Sequence, residues 1–342
     1  MIGVIGGGGW GTALAKLCAE KGYNVQIWAR ETEVCEEINR YHTNHTFLPG
    51  VTLPDTLSAS SSLAEVVSGK KYLITTVPSQ WLRSVAKEMA PFVSQDMIVI
   101  SASKGLESKT LKKMTDILEE ELPMVDANAI VALSGPTHAE EVAVNHPSAI
   151  VVATPVLKYA EEVQDLLITP NFRVYTNPDR TGVQLGGALK NVIALAAGIV
   201  DGLGLGDNTK AALVTRGMVE MARLGAALGA QIPTFSGLSG MGDLFVTAFS
   251  KHSRNSWAGR ELGKGRSLKE ITESTKMVIE GVATAEAAYM LAKKLNVEMP
   301  ITFVTYQVLY ENVSPRDGVR KLMERVRTHE MEEVITGTYS WE

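Results

Sequence analysis

Three glycines near the beginning of the chain have the spacing of a phosphate-binding turn. The pattern Gly6-x-Gly8-x-x-Gly11 follows a short apolar run, Ile2 to Ile5, and precedes a run rich in Ala and Leu. In this strand–turn–helix setting Gly6 permits the tight turn, Gly8 lets the backbone approach a pyrophosphate, and Gly11 lets the helix pack against the strand. The helix N-terminus adds free N–H groups and a partial positive charge. The pattern predicts a dinucleotide site that also includes Gly9; the alternative is a glycine-rich surface turn without a ligand.

Lys190 is the most informative ionisable residue in the second half of the chain. It lies in an apolar stretch of small residues, Gly186 to Ala197, with the composition of a buried helix. Such neighbours cannot keep an ammonium group solvated, so this lysine needs a partner or a chemical role. Burial readily shifts the pKa of lysine, which suits acid–base catalysis. Asp243, preceded by glycines at 240 and 242, is a candidate partner; the alternative is that Lys190 extends its ammonium group to the surface.

Ser253, Arg254 and Asn255 directly precede a predicted helix. A hydroxyl, a guanidinium and an amide at a helix N-terminus can together bind a phosphate group. The alternative is that Ser253 is only an N-cap and Arg254 only a surface charge. The three residues are therefore a candidate anion site.

Arg30 ends the second predicted strand, Asn24 to Arg30, and Glu31 follows it, at the place where a dinucleotide site usually recognises the adenosine ribose. An Asp or Glu there favours NAD, whereas a nearby Arg accommodates the 2′-phosphate of NADP. Arg30 occupies the place expected for the acid, so we expect NADPH to be preferred over NADH. Glu31 complicates this prediction, because a shift of one residue would put a carboxylate at the ribose.

The elements that must position these residues alternate between strand-like and helix-like segments in the first half of the chain. The further predicted strands are Tyr72 to Val77, Met97 to Ile100, Ala129 to Leu133 and Ala149 to Ala153. This alternation predicts an α/β fold with a doubly wound, mostly parallel Rossmann sheet. Ligands bind beyond the carboxyl ends of strands in such sheets. Three such ends, at Val77-Pro78, Ser103-Lys104 and Ser134-Gly135-Pro136, should therefore converge on one crevice.

After about Pro178 strand-like runs stop, and Ala, Leu, Met and Gly follow helical spacing. The predicted helices are Gly186 to Val200, Thr209 to Leu228, Ser253 to Leu262, Ala283 to Leu295 and Ser314 to Arg327. A chain of 342 residues is long enough for two domains. We expect an NAD(P)-binding Rossmann domain over residues 1–178 and an all-helical domain for substrate binding and catalysis over residues 179–342.

Composition narrows the class of protein. A hydrophobic content of 45% with 21% charged residues is typical of a soluble globular protein, and a net charge of −5 with no basic run disfavours nucleic-acid binding. Two cysteines without metal-ligand spacing suit a reducing cytoplasm, and His42, His45 and His138 also lack such spacing, so we expect no metal site. We expect no signal peptide, because the first strand starts at residue 2, and no membrane span, because the apolar stretch Val192 to Val200 is too short.

Taken in order, the motifs resemble the NAD(P)-dependent glycerol-3-phosphate dehydrogenases of bacterial type, nearly end to end. The resemblance rests on Gly6 to Ala15, Ser103 to Glu107, Ser134 to Pro136, Leu189 to Asn191, Gly240 to Thr247, Ser253 to Asn255 and Glu280-Gly281. It implies hydride transfer between NAD(P)H and dihydroxyacetone phosphate, giving sn-glycerol 3-phosphate for phospholipid synthesis. With the apolar helical half it also suggests a cytoplasmic homodimer.

The same resemblance assigns roles to individual residues. It implies that Lys190 is the proton donor and acceptor, Lys104 a second substrate-binding lysine and Asp243 the acidic partner, with Thr247 and Asn191 near the reacting centre. The implied substrate contacts also include Gly135, Thr137, Ser253, Arg254 and Asn255, and the implied cofactor contacts are Trp10, Arg30, Lys104, Ala139, Arg254, Val278 and Glu280. Two departures stand out: Thr137-His138 where Ser and an aromatic residue are expected, and Glu31 where a second Arg is often found.

Two other functions remain open at this point. One is a dehydrogenase of similar plan that acts on a 3-hydroxy acid or a ketopantoate-like substrate, from which Arg254-Asn255 at a helix start distinguishes this chain. The other is a non-catalytic NADPH-binding redox sensor. A sensor would keep the glycine turn but would have no use for Lys190 and Asp243 together.

Overall fold

The computed structural model of the protein describes residues 1–275 and 277–331. The last part of the predicted second domain, residues 332–342, lies outside the described residues. Eight strands occur in the described ranges: β1 (Ile2–Ile5), β2 (Val25–Trp28), β3 (Leu57–Ser60), β4 (Tyr72–Thr75), β5 (Ile98–Ser101), β6 (Ile130–Ser134), β7 (Ser148–Ala153) and β8 (Phe172–Asn177).

The strands form one sheet in the order β3-β2-β1-β4-β5-β6-β7-β8. Only β6 and β7 pair antiparallel; the other neighbours are parallel. The order reverses at β1, which pairs with β2 on one side and β4 on the other, so Ile5 lies opposite both Trp28 and Thr75. A crevice opens at such a switch point beyond the strand ends, and the glycine turn follows β1 there.

The helices of the described residues lie between the strands and, after β8, follow one another without strands. They are α1 (Gly9–Glu20), α2 (Thr32–Tyr41), α3 (Leu63–Val67), α4 (Leu82–Met89), α5 (Met114–Glu121), α6 (Ala139–Ala143), α7 (Leu157–Leu167), α8 (Arg180–Leu203), α9 (Gly206–Ala227), α10 (Ile232–Phe235), α11 (Asp243–Phe249), α12 (Arg254–Gly263), α13 (Leu268–Glu273), α14 (Glu280–Leu295), α15 (Pro300–Tyr310) and α16 (Pro315–Met323). The predicted α/β class, with a doubly wound, mostly parallel sheet followed by a helical part, is confirmed.

The two strands that the sequence analysis did not predict, β3 and β8, are the edges of the sheet. Each is buried on one side only, so its apolar residues alternate with exposed ones instead of forming a continuous apolar run. Continuous apolar runs mark the central parallel strands, which are covered on both faces. Edge strands therefore lack the signal on which the other strands were recognised.

Helix α8 is longer than the predicted Gly186 to Val200. It has 24 residues and, among the described residues, it is the one helix long and apolar enough to cross a membrane, although 94% of its most apolar window is buried inside the protein. It packs against α9, α11, α12 and α14. Its apolar character is thus accounted for by its place at the centre of the helical part.

Candidate functional site

The glycine turn joins β1 to α1 with very little space between them. Gly6 has a φ of +126°, which disfavours other residues, and a Cβ on Gly11 would lie 2.0 Å from the carbonyl oxygen of Gly6. In contrast, no atom lies within 4 Å of the place where a Cβ of Gly8 would stand, and Gly8 is the N-cap of α1. The N-terminus of α1 therefore borders open space on the side of Gly8.

The turn lines a cleft of about 690 Å³. Its lining includes most of the residues predicted for the site: Gly6, Gly8, Gly9, Trp10, Gly11, Arg30, Lys104, Thr137, Ala139, Lys190, Asn191, Thr247, Ser253, Arg254, Asn255, Val278 and Glu280. Gly135 and Asp243 are absent from this lining and lie behind it, against the lysine side chains. The structure thus brings together residues from both halves of the chain.

Two features of the cleft fit a dinucleotide. One is the open face at Gly8. The other is the indole N–H of Trp10, which is buried and has no acceptor among the described residues. A buried donor without a partner costs free energy, so the position favours a ligand that accepts a hydrogen bond.

Directly behind the cleft wall, one carboxylate is shared by two lysines. Lys104 Nζ lies 2.6 Å from Oδ2 of Asp243, and Lys190 Nζ lies 2.7 Å from Oδ1. The Lys190 ammonium also donates to Thr247 Oγ1 at 2.6 Å, and the Lys104 ammonium donates to the carbonyl oxygen of Gly135 at 2.9 Å. Each ammonium group is therefore held in one orientation by two acceptors.

Burial controls the protonation of this cluster. It lowers the pKa of Lys190 to about 8, with a further contribution from the positive charge of Lys104, and the Asp243 carboxylate limits the fall. Burial alone would raise the pKa of Asp243, but the two ammonium groups outweigh it and hold that pKa below its ordinary value. The cluster thus contains an ionised carboxylate and a lysine that can gain or lose a proton near neutral pH.

Helix α11 presents Asp243 and Thr247 side by side, because residues four apart lie on the same helix face. The Thr247 hydroxyl donates to the Asp243 backbone carbonyl oxygen at 2.6 Å and accepts from Lys190. This short helix was not among the predicted ones, although Asp243 itself was singled out. Seven residues are too few to give a clear helical period in a sequence.

The predicted anion site at the start of α12 has a different arrangement from the one expected. Ser253 is the N-cap and accepts from the Ser256 N–H at 3.2 Å. The Asn255 amide is engaged inside the protein: it donates to Asn191 Oδ1 and accepts from the Gly281 N–H, both at 2.8 Å. Of the three predicted groups, the exposed Arg254 guanidinium is the one directed at the cleft without such ties.

Glu280 begins α14 and connects it to the end of β4. Its carboxylate accepts hydrogen bonds from the Ser79 N–H, at 3.0 Å, and from the Ser79 hydroxyl. Burial raises the pKa of Glu280 above its ordinary value. The contact ties the helical part to the loop after Val77-Pro78, one of the strand ends expected to border the crevice.

At the other end of the cleft Arg30 and Glu31 form an exposed ion pair. The guanidinium lies 3.0 Å from the Glu31 carboxylate, and the Arg30 side chain is 76% exposed. Both residues line the cleft. An ion pair so open to water is weak, so Arg30 is available to another anion.

Several lining residues were not predicted. Trp28, Phe47 and Trp81 add aromatic side chains to the lining of the cleft, and His138 and His252 add two imidazole rings. Single aromatic residues in loops carry no sequence pattern that distinguishes a ligand wall from ordinary packing. Among the described residues, no group of three His, Cys, Asp or Glu side chains could hold a metal ion.

Comparison with known proteins gives one consistent family. A family model described as NAD-dependent glycerol-3-phosphate dehydrogenase N-terminus matches residues 1–160, and the corresponding C-terminus model matches residues 179–320. A protein of Bacillus cytotoxicus named glycerol-3-phosphate dehydrogenase [NAD(P)+] is 52% identical, over 97% of this chain and 98% of its own length.

Solved structures agree with this result. The crystal structure of glycerol-3-phosphate dehydrogenase from Coxiella burnetii matches with a TM-score of 0.91 and 36% identity, over 95% of this chain and 98% of that one. A ketopantoate reductase from Ralstonia eutropha matches with a TM-score of 0.60 and 15% identity, over 93% of this chain and 100% of that one. The second likeness is one of fold alone.

Proposed function

Because this chain belongs to the NAD-dependent glycerol-3-phosphate dehydrogenase family, we propose that it transfers a hydride between NAD(P)H and dihydroxyacetone phosphate, giving sn-glycerol 3-phosphate. The observation that carries this proposal is the position of Lys190. Its side chain lines the cleft that also contains the glycine turn, and its ammonium group lies 2.7 Å from Oδ1 of Asp243.

The residues proposed to hold the cofactor extend along the whole cleft. The α1 N-terminus and the glycine turn (Gly6, Gly8, Gly9 and Gly11) would bind the pyrophosphate, and Trp10 would donate from its indole N–H. Further contacts are proposed for Arg30, Lys104, Ala139, Arg254, Val278 and Glu280. When bound, the nicotinamide supplies or accepts the hydride.

The chemical role of Lys190 follows from the charge that develops on the substrate. Reduction of a ketone makes its oxygen negative, and an ammonium group directed at that oxygen stabilises the charge and donates a proton. Asp243 keeps Lys190 protonated by opposing the effect of burial, and Thr247 fixes its direction. In the opposite direction neutral Lys190 would accept the hydroxyl proton of the alcohol. Lys104 is proposed to bind the substrate beside it.

The substrate phosphate is proposed to bind away from the reacting carbon, where Arg254 reaches the cleft. Ser253 and Thr137 offer hydroxyl groups there, while Gly135 lies behind Lys104 and accepts its hydrogen bond. Asn255 donates a hydrogen bond to the amide oxygen of Asn191 and is proposed to act in part by orienting that side chain. Binding the phosphate would fix the carbonyl group relative to Lys190 and so reduce the entropy cost of the reaction.

A preference for NADPH over NADH rests on Arg30. A guanidinium at the end of β2 can bind the 2′-phosphate, and its ion pair with Glu31 is exposed and weak. Glu31 would instead favour NADH by accepting hydrogen bonds from the ribose. We propose use of both cofactors with NADPH preferred.

Wider properties are proposed from family membership and the sequence. They are a division into domains at about residue 178, a cytoplasmic homodimer, and supply of sn-glycerol 3-phosphate to phospholipid synthesis. The last residue of β8, Asn177, and the first of α8, Arg180, support the domain division.

The test is the oxidation of NADPH by the purified protein with dihydroxyacetone phosphate, followed by absorbance and repeated with NADH. Dihydroxyacetone, which lacks the phosphate, is the matched control substrate, and ketopantoate tests the alternative dehydrogenase class. Turnover should require the phosphate. Faster turnover of ketopantoate, or none with any of the three substrates, would refute the proposal.

A further inference from the structure

Two histidines from different parts of the chain meet at the wall of the cleft. His138 is the N-cap residue of α6, and His252 lies in the loop between α11 and α12. Their ring centroids are 5.9 Å apart, with the ring planes inclined at 55°. Both line the cleft together with Lys190 and Arg254. The proposed function gives neither histidine a role.

The charges near Arg254 are too few for the substrate assigned to this cleft. A phosphate monoester carries a charge of about −1.5 to −2 at neutral pH. The Asn255 amide is used by Asn191 and Gly281, so the fixed positive charge at the start of α12 is that of Arg254. Lys104 and Lys190 share the single carboxylate of Asp243, and the charge they have in excess is needed at the carbonyl oxygen. A second positive charge beside the phosphate would therefore strengthen its binding.

His138 can supply that charge only when an anion is present. Its Nε2 lies 3.4 Å from the carbonyl oxygen of Val246. Burial lowers its pKa, and the Lys190 charge lowers it further, while Glu140 of α6 and Asp243 of α11 act in the opposite direction. The net result is a pKa below the ordinary value, so the free protein holds this imidazole neutral at neutral pH. A phosphate dianion beside it would favour the protonated form.

We propose that His138 and His252 form one wall of the phosphate site, and that His138 takes up a proton there when a phosphate or another dianion binds. This inference rests on the proposed function, since it takes the substrate to be phosphorylated. His252 is exposed, lies two residues from Arg254 and has its ring beside that of His138, so it can contact the same anion. The affinity for the phosphorylated substrate should therefore rise as the pH falls.

The probe for this proposal is inorganic sulfate, a dianion that does not itself titrate near neutrality. Its inhibition constant against dihydroxyacetone phosphate is measured between about pH 6 and about pH 9, the range in which a histidine changes charge. The proteins compared are the wild type, His138→Gln, His252→Gln and the control His146→Gln, whose side chain is exposed. Glutamine keeps a hydrogen-bond donor close to the place of Nε2 but cannot take up a proton.

In the wild type and the His146 variant, the inhibition constant should increase by about threefold to tenfold per pH unit, as uptake of half to one proton requires. In the His138 variant the increase should fall below about twofold per pH unit, while the His252 variant should bind sulfate more weakly. The effect should fall on the sulfate constant and on KM, while kcat keeps the pH dependence of the wild type.

An equal pH dependence of sulfate inhibition in the wild type and in the His138 variant would overturn the proposal and assign the titration to Lys190. If the His138 variant does not fold, proton uptake by the wild type on sulfate binding remains the test. If the wild type does not oxidise NADPH with dihydroxyacetone phosphate, the proposed function fails separately. Calorimetry of sulfate binding in two buffers of different ionisation enthalpy then measures proton uptake directly. Zero uptake by the wild type would refute the proposal for His138 as well.

Discussion

The Lys190 ammonium group lies 2.7 Å from Oδ1 of Asp243, and the two side chains are only 8% and 2% exposed. Removal of one partner from a buried ion pair of this kind leaves the other charge unpaired and destabilises the protein by about 3–5 kcal/mol. Here Asp243 has a second partner, because Lys104 lies 2.6 Å from its other oxygen. The arrangement allows the catalytic role of Lys190 to be tested without leaving a buried carboxylate unpaired.

Replacement of Lys190 by alanine should reduce kcat by about 10²–10⁴-fold, the usual contribution of a general acid or base. NADPH affinity, measured by the quenching of tryptophan fluorescence, should stay within a few-fold of the wild type, since the glycine turn is untouched. The control is Lys251→Ala, which removes an exposed lysine. A kcat within threefold of the wild type at neutral pH would exclude Lys190 from the proton transfer.

The two directions of the reaction should respond to pH with opposite signs. The pKa of Lys190 is about 8, so the ammonium form that donates a proton is lost as the pH rises through that value. Reduction of dihydroxyacetone phosphate should therefore slow above about pH 8, while oxidation of sn-glycerol 3-phosphate should become faster. The measurement is kcat in each direction at saturating substrate.

Asp243→Asn provides the control for this pH dependence. Without the carboxylate, burial and the Lys104 charge both lower the pKa of Lys190 with nothing to oppose them. The decline of the reduction rate should then begin at a lower pH than in the wild type. An unchanged profile would mean that another group controls the rate.

Much of this site could be predicted, because several of its residues belong to short sequence patterns that can be recognised without the fold. The glycine turn follows an apolar strand, and Lys190 is conspicuous as a charge among small apolar residues. The sharing of Asp243 by two lysines could not be predicted, because it depends on how α8, α11 and the loop after β5 meet in space. An ion pair between one lysine and one aspartate can be proposed from charge alone. The contact of one carboxylate with two lysines can be found only once the fold is known.

The predicted anion site at residues 253–255 shows more clearly what could not be predicted from the sequence. Ser253-Arg254-Asn255 has the composition of a phosphate site, yet Asn255 bonds with Asn191 and Gly281. Those partners come from α8 and α14, which are far from residue 255 in sequence. The same limit applies to His138 and His252, which look like isolated loop residues until the fold places their rings 5.9 Å apart.

Cofactor preference should depend on the balance between Arg30 and Glu31. Arg30→Ala removes the positive charge proposed to bind the 2′-phosphate and should lower kcat/KM for NADPH about tenfold relative to NADH, equivalent to about 1.4 kcal/mol. Glu31→Gln should change the ratio in the opposite direction, because Arg30 loses a competing anion. Both ratios are measured by steady-state kinetics at low salt, where exposed charges act most strongly. If Arg30→Ala leaves the ratio unchanged, the preference has another origin.

Two substitutions in the glycine turn should separate folding from cofactor binding. A Cβ on Gly11 would lie 2.0 Å from the Gly6 carbonyl oxygen, so Gly11→Ala forces the backbone apart. Such overpacking costs about 1–3 kcal/mol, or more where backbone atoms collide, and each kcal/mol lowers the melting temperature of a domain this size by about 2–4 °C. A Cβ on Gly8 would meet no atom within 4 Å.

Gly8→Ala should therefore leave the melting temperature of the free protein close to that of the wild type. Its methyl group would occupy the space proposed for the pyrophosphate. NADPH binding should therefore weaken about tenfold or more, which corresponds to about 1.4 kcal/mol or more. Thermal unfolding with and without NADPH measures both effects, because a ligand stabilises the folded state according to its affinity. The wild type should gain stability from NADPH, the Gly8 variant should gain little, and the Gly11 variant should be destabilised before any ligand is added. Equal stabilisation of the wild type and the Gly8 variant by NADPH would show that the pyrophosphate does not lie against this turn.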